Sequence, residues 1–474
     1  MKARMVLTFT IILALPVIFG GATGAKGREP QSGMDTLASP ALWAQENFTS
    51  PNLIRGYSGN SVITGVVGAT VAGGRSDGSP NTVTDDYGTV GGGRNNRAGD
   101  NAGTTTDASY ATVGGGSHNS ANSSHATISG GSFNTASGRL GTIGGGMGNA
   151  ARGYASIGGG WRNIAGEYAA VAGGWGNIAD EFVATISGGS YNTVLATHST
   201  IGGGQGNDIS RGYATIGGGY FNNASGLYAT VAGGRINTAN GEAASVAGGH
   251  INIASGDAAS VAGGYNNTAS GYIASVGGGR DNEAVGDYSF ATGRRAKANH
   301  QGAFVWADAE DADFASTAQD QFSARTTGGA RFVSAIDGSG NPTGGVNLAA
   351  GSGAWSSLSD HALKQNFAPV DAEEVLARLA EVPITTWNYQ AQDPTIRHMG
   401  PVAQDFYSAF GLGEDDRHIS TVDADGVALA AIQGLYQMLQ EKDAQLAAQQ
   451  EQIAALEARL AELEALVAKL AQEQ

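Results

Sequence analysis

The chain has 474 residues, no cysteine, 76 glycines and a net charge of −16. Its length allows several domains, and the missing cysteine excludes a disulfide framework and any thiolate metal site. Glycine without a Gly-X-Y period excludes collagen, and the surplus of acid opposes a nucleic-acid partner, whose phosphates need a basic footprint.

Lys2 and Arg4 precede an apolar run over residues 5–19, and Gly20, Gly21, Ala22, Gly24 and Ala25 follow. That order is the three-part pattern of a secretory signal peptide, with cleavage near Ala22 or Ala25. A spanning helix needs about 20 apolar residues, and Pro16 interrupts this run. No later segment is apolar enough to span. The expectation is a bacterial protein that is secreted or held at the cell surface, with a signal peptide over 1–25 and a linker or cap over 26–60.

From there the chain repeats itself, and a repeat has to be read before any other fold assignment. An aliphatic residue precedes each glycine cluster at Val113, Ile128, Ile143, Ile157, Val171, Ile186, Ile201, Ile216, Val231, Val246, Val261 and Val276, in steps of 14 or 15 residues. Val71 and Val90 stand ahead of this column at longer steps, as if loops such as residues 100–107 had been inserted into single rungs. Six residues after each anchor sits an Asn, from Asn96 to Asn282, and only the first rung departs, with Asp77. The unit is Tyr-Ala-Thr-Val-Gly-Gly-Gly-x-x-Asn-x-Ala-Ser-Gly. Thr and Val favour extended backbone, while Gly-Gly and Ser-Gly supply turns with positive φ. One unit is too short to bury a core, so each must stack on its neighbours as a rung of a parallel β-solenoid. Alternation puts Ala214 and Ile216 on one face and Tyr213 and Thr215 on the other. The recurrent Asn joins a ladder of side-chain amides or holds a left-handed turn residue. At about 4.8 Å per rung the array over 61–293 forms a rod of roughly 65 Å.

These units resemble the head repeats of trimeric autotransporter adhesins. The resemblance implies a left-handed parallel β-roll and three chains packed side by side. The chain departs from such adhesins in ending on a heptad repeat with no membrane β-barrel after it. A catalytic site in the rod needs paired carboxylates or a carboxylate with a base. The acids Glu167, Asp180, Glu181, Glu242, Asp257 and Asp287 are scattered at turns and read as solvated. The variable positions between the glycines and the Asn carry Phe133, Trp161, Trp175, Tyr191, Tyr220, Phe221 and Tyr265, with His118, Arg162, Arg235 and His250 among them. Two readings stand. Trp161, Trp175, Tyr191, Tyr220 and Tyr265 form a surface stripe for a glycan or a host surface, or they pack against neighbouring chains.

Residues 294–358 read as a strand-rich connector, loop-like over 338–353. At its end stands Ser359-Asp360-His361-Ala362-Leu363-Lys364. A serine attacks an acyl group only if something takes its proton, and a lysine can do so when its charge is disfavoured. Spacing alone leaves a second reading open, in which Ser359 or Asp360 caps a helix starting at Ala362.

Four blocks follow in order: Ser359-Asp-His-Ala-Leu-Lys-Gln-Asn366, Pro383-Ile-Thr-Thr-Trp-Asn-Tyr389, Arg397-His-Met-Gly-Pro-Val-Ala-Gln-Asp405 and Val422-Asp-Ala-Asp-Gly-Val-Ala-Leu-Ala-Ala-Ile-Gln433. An amphipathic segment over 373–379 lies between the first two. Together they resemble the intramolecular chaperone domain of endosialidases and phage tail fibres, a self-cleaving peptidase family. The resemblance implies Ser359 as nucleophile on the carbonyl of Leu358, Lys364 as general base and Asp360 as an orienting residue. It implies that the module over 359–434 drives trimerisation and then leaves. The family often has a basic residue just before its Leu-Lys pair, where this chain has Ala362, with His361 beside it. His398 and Gln404 lie in the most recognisable block, with helix packing as their role.

The remainder, 435–474, is a heptad. Ile432, Leu439, Leu446, Ile453, Leu460 and Val467 occupy one seam position, and Leu435, Lys442, Gln449, Leu456, Leu463 and Leu470 the other. The expected whole is a mainly β homotrimeric fibre: a β-roll rod, a small α+β chaperone module and a coiled coil. It needs no cofactor or metal, and its one chemical step acts on its own chain. The rivals are a polysaccharide-degrading tailspike, a phage tail fibre, and the same fibre with an uncleaved clasp.

Overall fold

A computed structural model describes residues 43–45, 50–74 and 78–472. The signal-peptide segment, most of the linker and Asp77 lie outside the described residues. The chain divides into two units, Met1–Ala324 and Arg325–Gln474.

The first unit is a parallel β-solenoid. Each rung contributes two strands of two residues, as at Thr215–Ile216 and Asn223–Ala224. Thr215 pairs in parallel with Thr200 below and Thr230 above, and Asn223 with Asp208 and Thr238. One sheet therefore stacks the first strand of every rung and the other sheet the second. The first runs from Asn52–Ile54 to Phe322–Arg325, the second from Ser61–Val62 to Phe314–Ala315. Ile216, Ala224 and Ala214 point inward and are fully buried. A core of Ile, Val and Ala suits so short a circuit, because nothing larger fits between strands of two residues. At the N-terminal end Trp43–Gln45 pairs antiparallel with Asn52–Ile54.

The Asn column is the buried ladder that its period implied. Asn207 Nδ2 donates to Asn192 Oδ1 at 3.0 Å and to the carbonyls of Gly203 and Gly219 at 2.9 and 3.1 Å. Its Oδ1 accepts the N–H of Asn222 at 3.0 Å. In the first rung the ladder position belongs to Asn81, not Asp77: the N–H of Asn96 donates to Asn81 Oδ1, and that of Asn81 to Asn60 Oδ1. The insertion in that rung delays the Asn, so counting six residues from Val71 lands short of it.

Two local readings are corrected. Tyr213 is not on a strand face; it sits in a turn with φ 59°, as do Tyr87, Tyr154, Tyr168, Tyr228 and Tyr288 in their rungs. The left-handed conformation is held from rung to rung, the N–H of Tyr213 donating to Thr197 O and that of Tyr228 to Gly212 O. The glycine of Ser-Gly, by contrast, does not take positive φ. A Cβ on Gly256, which follows Ser255, would lie 2.0 Å from the carbonyl oxygen of Gly271. Close backbone approach, not a left-handed turn, is what requires glycine there.

The ladder also runs beyond residue 293 into the segment read as a connector. Phe290–Arg294 pairs with Phe304–Ala307, and Phe290, Phe304 and Phe322 stack at 4.8 and 5.1 Å. These rungs replace the glycine cluster with longer strands, which hides their period.

The second unit opens with an antiparallel sheet of Ala330–Ile336, Pro342–Leu348 and Trp355–Ser357. The stretch read as loop-like holds its central strand. Gly345 is there because a Cβ would lie 2.2 Å from Phe332 O. Helices α1 (Ala372–Glu381), α2 (Ala403–Phe410) and α3 (Thr421–Gln472) follow, with a ribbon of Thr385–Trp387 and His398–Gly400 between α1 and α2. Asp371 caps α1 by accepting the N–H of Glu374 at 3.0 Å. Gly434 of α3 lies against the first turn of α1, where a Cβ would be 2.3 Å from Ala372 O. Beyond that contact the heptad residues of α3, such as Leu439, Ile453 and Leu460, are exposed along the single helix. No helix among the described residues is long and apolar enough to cross a membrane.

Candidate functional site

The geometry around Ser359 begins one residue earlier. Leu358 leaves the last strand of the sheet, and its N–H still donates to Gly345 O at 3.1 Å. The carbonyl that precedes Ser359 is therefore carried by a residue tethered to the sheet. Asp360 then starts a 3-10 turn over His361–Leu363, accepting the N–H of Ala362 at 2.8 Å. The N–H of Lys364 donates to His361 O at 3.2 Å, which closes the turn. Folding back over one turn brings Lys364 Nζ to 2.6 Å from Ser359 Oγ. Asp360 caps this short turn, and the turn brings Ser359 and Lys364 side by side. His361 stacks on Phe367 at 4.6 Å. Ser359, Asp360 and Lys364 are all exposed in the single chain.

A hydroxyl within hydrogen-bond reach of an amine is the minimal pair for nucleophilic attack with proton removal. His398 lies elsewhere in the unit, with Nε2 2.8 Å from Gln392 Oε1 and its ring against Trp387 and Tyr389 at 5.0 and 5.6 Å. It packs the ribbon. Gln404 lies in the first turn of α2.

On the rod, the aromatic residues read as one surface stripe occupy two adjacent columns. Trp161, Trp175, Tyr220 and Tyr265 share the column that bridges from rung to rung, whereas Tyr191 falls one residue later, at φ 56°. Trp161 and Trp175 stack at 5.1 Å, and Tyr191 leans on Trp175 at 4.9 Å. Arg162, Arg235 and Arg280 lie over Trp161, Tyr220 and Tyr265 at 5.0, 5.6 and 5.4 Å.

One cluster was not visible in the sequence. The carboxylates of Asp85, Asp100 and Asp107 come within 4.8 Å of one another. Asp85 is buried and accepts from Thr84 Oγ1 at 2.8 Å and from the N–H groups of Asp100 and Ala108 at 3.0 and 3.3 Å. Burial pushes its carboxyl above the ordinary value, against those hydrogen bonds. The contacts staple the inserted loop to its rung.

No curated protein matches the chain. Residues 359–411, from Ser359 of the Ser–Lys pair to the C-cap glycine of α2, match the family model described as chaperone of endosialidase, and they lie C-terminal to the long parallel β-solenoid, after the antiparallel sheet.

Proposed function

We propose that the chain is an exported, self-assembling fibre whose C-terminal module promotes trimer formation by the rod and then cuts itself away. The observation that carries this reading is the 2.6 Å contact between Lys364 Nζ and Ser359 Oγ, at the first residue of the chaperone match.

In the proposed step neutral Lys364 takes the proton of Ser359 Oγ, and the oxygen attacks the carbonyl carbon of Leu358. The Leu358–Ser359 C–N bond breaks, the amine of Ser359 is protonated, and an ester joins Leu358 to Ser359 Oγ. Water hydrolyses that ester and leaves two chains, the second being 359–474. Desolvation favours a neutral amine. Both side chains are exposed in the single chain, so cleavage waits for an association that covers them. Once the module departs, the rod has no route back through the assembled intermediate and is held kinetically. The mature rod is a surface or extracellular structural protein of adhesin type.

The test is a denaturing gel with intact mass on the chain lacking residues 1–25, beside Ser359→Ala. Two fragments from the first, the smaller starting at Ser359, and one uncut chain from the second support the reading. An uncut unsubstituted chain that still forms trimers would overturn cleavage and leave a permanent clasp.

A further inference from the structure

The left-handed turn residues form a column of their own along the rod, and tyrosine occupies it in adjacent rungs. Tyr87 is followed by Tyr110, Tyr154 by Tyr168 and Tyr213 by Tyr228. Only Tyr288 stands in that column without a tyrosine beside it, between Ile273 and Gly302. Each of the six paired residues has φ between 50° and 63°, and its N–H donates to the rung before. Successive side chains therefore leave the roll one rung apart and in line, and their rings lie face to face. Centroids are 4.9, 4.5 and 5.2 Å apart, and the planes 10, 5 and 26° from parallel. Among the described residues one further pair of tyrosines is in ring contact, Tyr272 with Tyr288. These two come from different columns and meet edge-on, at 5.5 Å and 88°.

The fold does not require the phenol. Backbone bonds hold the turn, and His125, Leu140 and Val183 keep the same conformation in other rungs. A stack gains from ring area, which Phe supplies equally. Among the described residues only the Tyr154 hydroxyl, of the six, has a hydrogen-bond partner, Arg139 Nη1 at 3.5 Å. All six side chains are exposed in the single chain, from 37 % at Tyr154 to 52 % at Tyr228. Solvent can reach the phenols, and each has a second phenol stacked on it.

We propose that these three pairs are sites of oxidative cross-linking, at which the phenols of adjacent rungs join as dityrosine. The co-substrate is hydrogen peroxide, activated by a haem peroxidase outside the chain. Each phenol gives up one electron and its hydroxyl proton and becomes a phenoxyl radical. The two radicals pair their electrons in a C–C bond between ring carbons ortho to oxygen, and the hydrogens on those carbons shift to the oxygens. Both phenols are restored, the protein has lost two hydrogen atoms, and the peroxide is reduced to two waters. Proximity selects the partner, because radicals held in ring contact couple before either meets another chain. Rotation about the side-chain torsions suffices, since the backbone already holds the rings at contact distance. The product is a covalent staple between rungs, in a chain that has no cysteine to make one.

The test treats the dilute full chain with a haem peroxidase and hydrogen peroxide, followed by tryptic digestion and mass measurement. Trypsin separates Tyr154 from Tyr168 at Arg162, and Tyr87 from Tyr110 at Arg94 and Arg97. Each staple there joins two peptides whose summed mass is short by two hydrogens. Tyr213 and Tyr228 share the peptide between Arg211 and Arg235, which shows the same loss within itself. Links inside the three pairs are expected at least about tenfold above those that use Tyr191, Tyr265 or the edge-on pair. Tyr154→Phe keeps the ring, and should abolish the link to Tyr168 while the other two form at their former yield. Links spread over all the exposed tyrosines, or formed mainly between chains, would overturn the proposal, as would a product without dityrosine fluorescence.

Discussion

Replacing Asn207 with Ala removes a fully buried amide that bonds to three rungs. Of the groups left behind, Asn192 Oδ1 keeps the N–H of Asn207 at 3.1 Å, and Gly219 O keeps that of Gln205 at 2.9 Å. The buried N–H of Asn222 loses its acceptor outright. An orphaned buried donor costs about 1–3 kcal/mol, and the lost bonds to Gly203 and Asn192 bring the sum to about 2–4 kcal/mol. Because a stacked repeat opens locally, a single global unfolding midpoint can dilute this loss. Hydrogen exchange at the Asn222 amide reads it directly, and the exchange rate should rise roughly 30- to 700-fold. Gln205→Ala, on the exposed surface of the same turn, is the control and should stay within about 0.5 kcal/mol. If Asn207→Ala behaves like that control and the Asn222 amide stays protected, the ladder does not hold the rod.

Gly241→Ala places a Cβ 2.0 Å from Gly256 O, whereas nothing lies within 4 Å of a Cβ at Gly233. The first change should lower rod stability by about 1–3 kcal/mol and the second by less than about 0.5, as read by urea unfolding. Gly434→Ala should loosen the packing of α3 on α1 by a similar amount despite its gain in helix propensity of about 1 kcal/mol; faster proteolysis within α1 reports it. Lys364→Met should slow the proposed cleavage by at least about a hundredfold, followed as the appearance of the smaller fragment with time. The turn at Asp337 carries a pH signature. The Asn341 side chain, then backbone N–H groups, hold its carboxyl below the ordinary 3.8. A lowered folded value means that this contribution is present above 3.8 and is lost as pH falls through the folded value. The amides of Ser339 and Asn341, which donate to Asp337 Oδ1 at 2.8 Å, should hold their NMR shifts from neutral pH to about 4.5 and move only in stronger acid. A midpoint above the ordinary carboxylate range would contradict this.

Most of the rod was legible because its anchors and its Asn are constrained by contacts that every rung repeats. The second strand was not, because its outward residue varies from Ala150 to Ile164 to Asp208 and only its inward Ala recurs. The left-handed tyrosines were hidden because propensity assigns that conformation to Gly and Asn, whereas here the preceding rung's carbonyl supplies the support. The strand over Pro342–Leu348 looked like a loop because its glycines answer to neighbouring backbone, which a single sequence does not display. At the junction the spacing of Ser359 and Lys364 was visible, but their contact depended on a 3-10 turn that Asp360 nucleates. The aspartate cluster was invisible because Asp100 and Asp107 come from an insertion whose path no period describes.

Each rung from Val113 to Val276 is joined to the rung after it by the same bonds that join it to the rung before: strand pairings, an Asn amide, and the N–H of a left-handed turn residue donated to the preceding rung. Rungs are therefore interchangeable parts. Removing one complete unit of 14 or 15 residues leaves the two new neighbours with matching surfaces, as does inserting one. Reach is thus a quantity that replication slippage can adjust in whole steps of about 4.8 Å without redesigning a fold, whereas a deletion that removes one strand or the Asn of a rung breaks the ladder there.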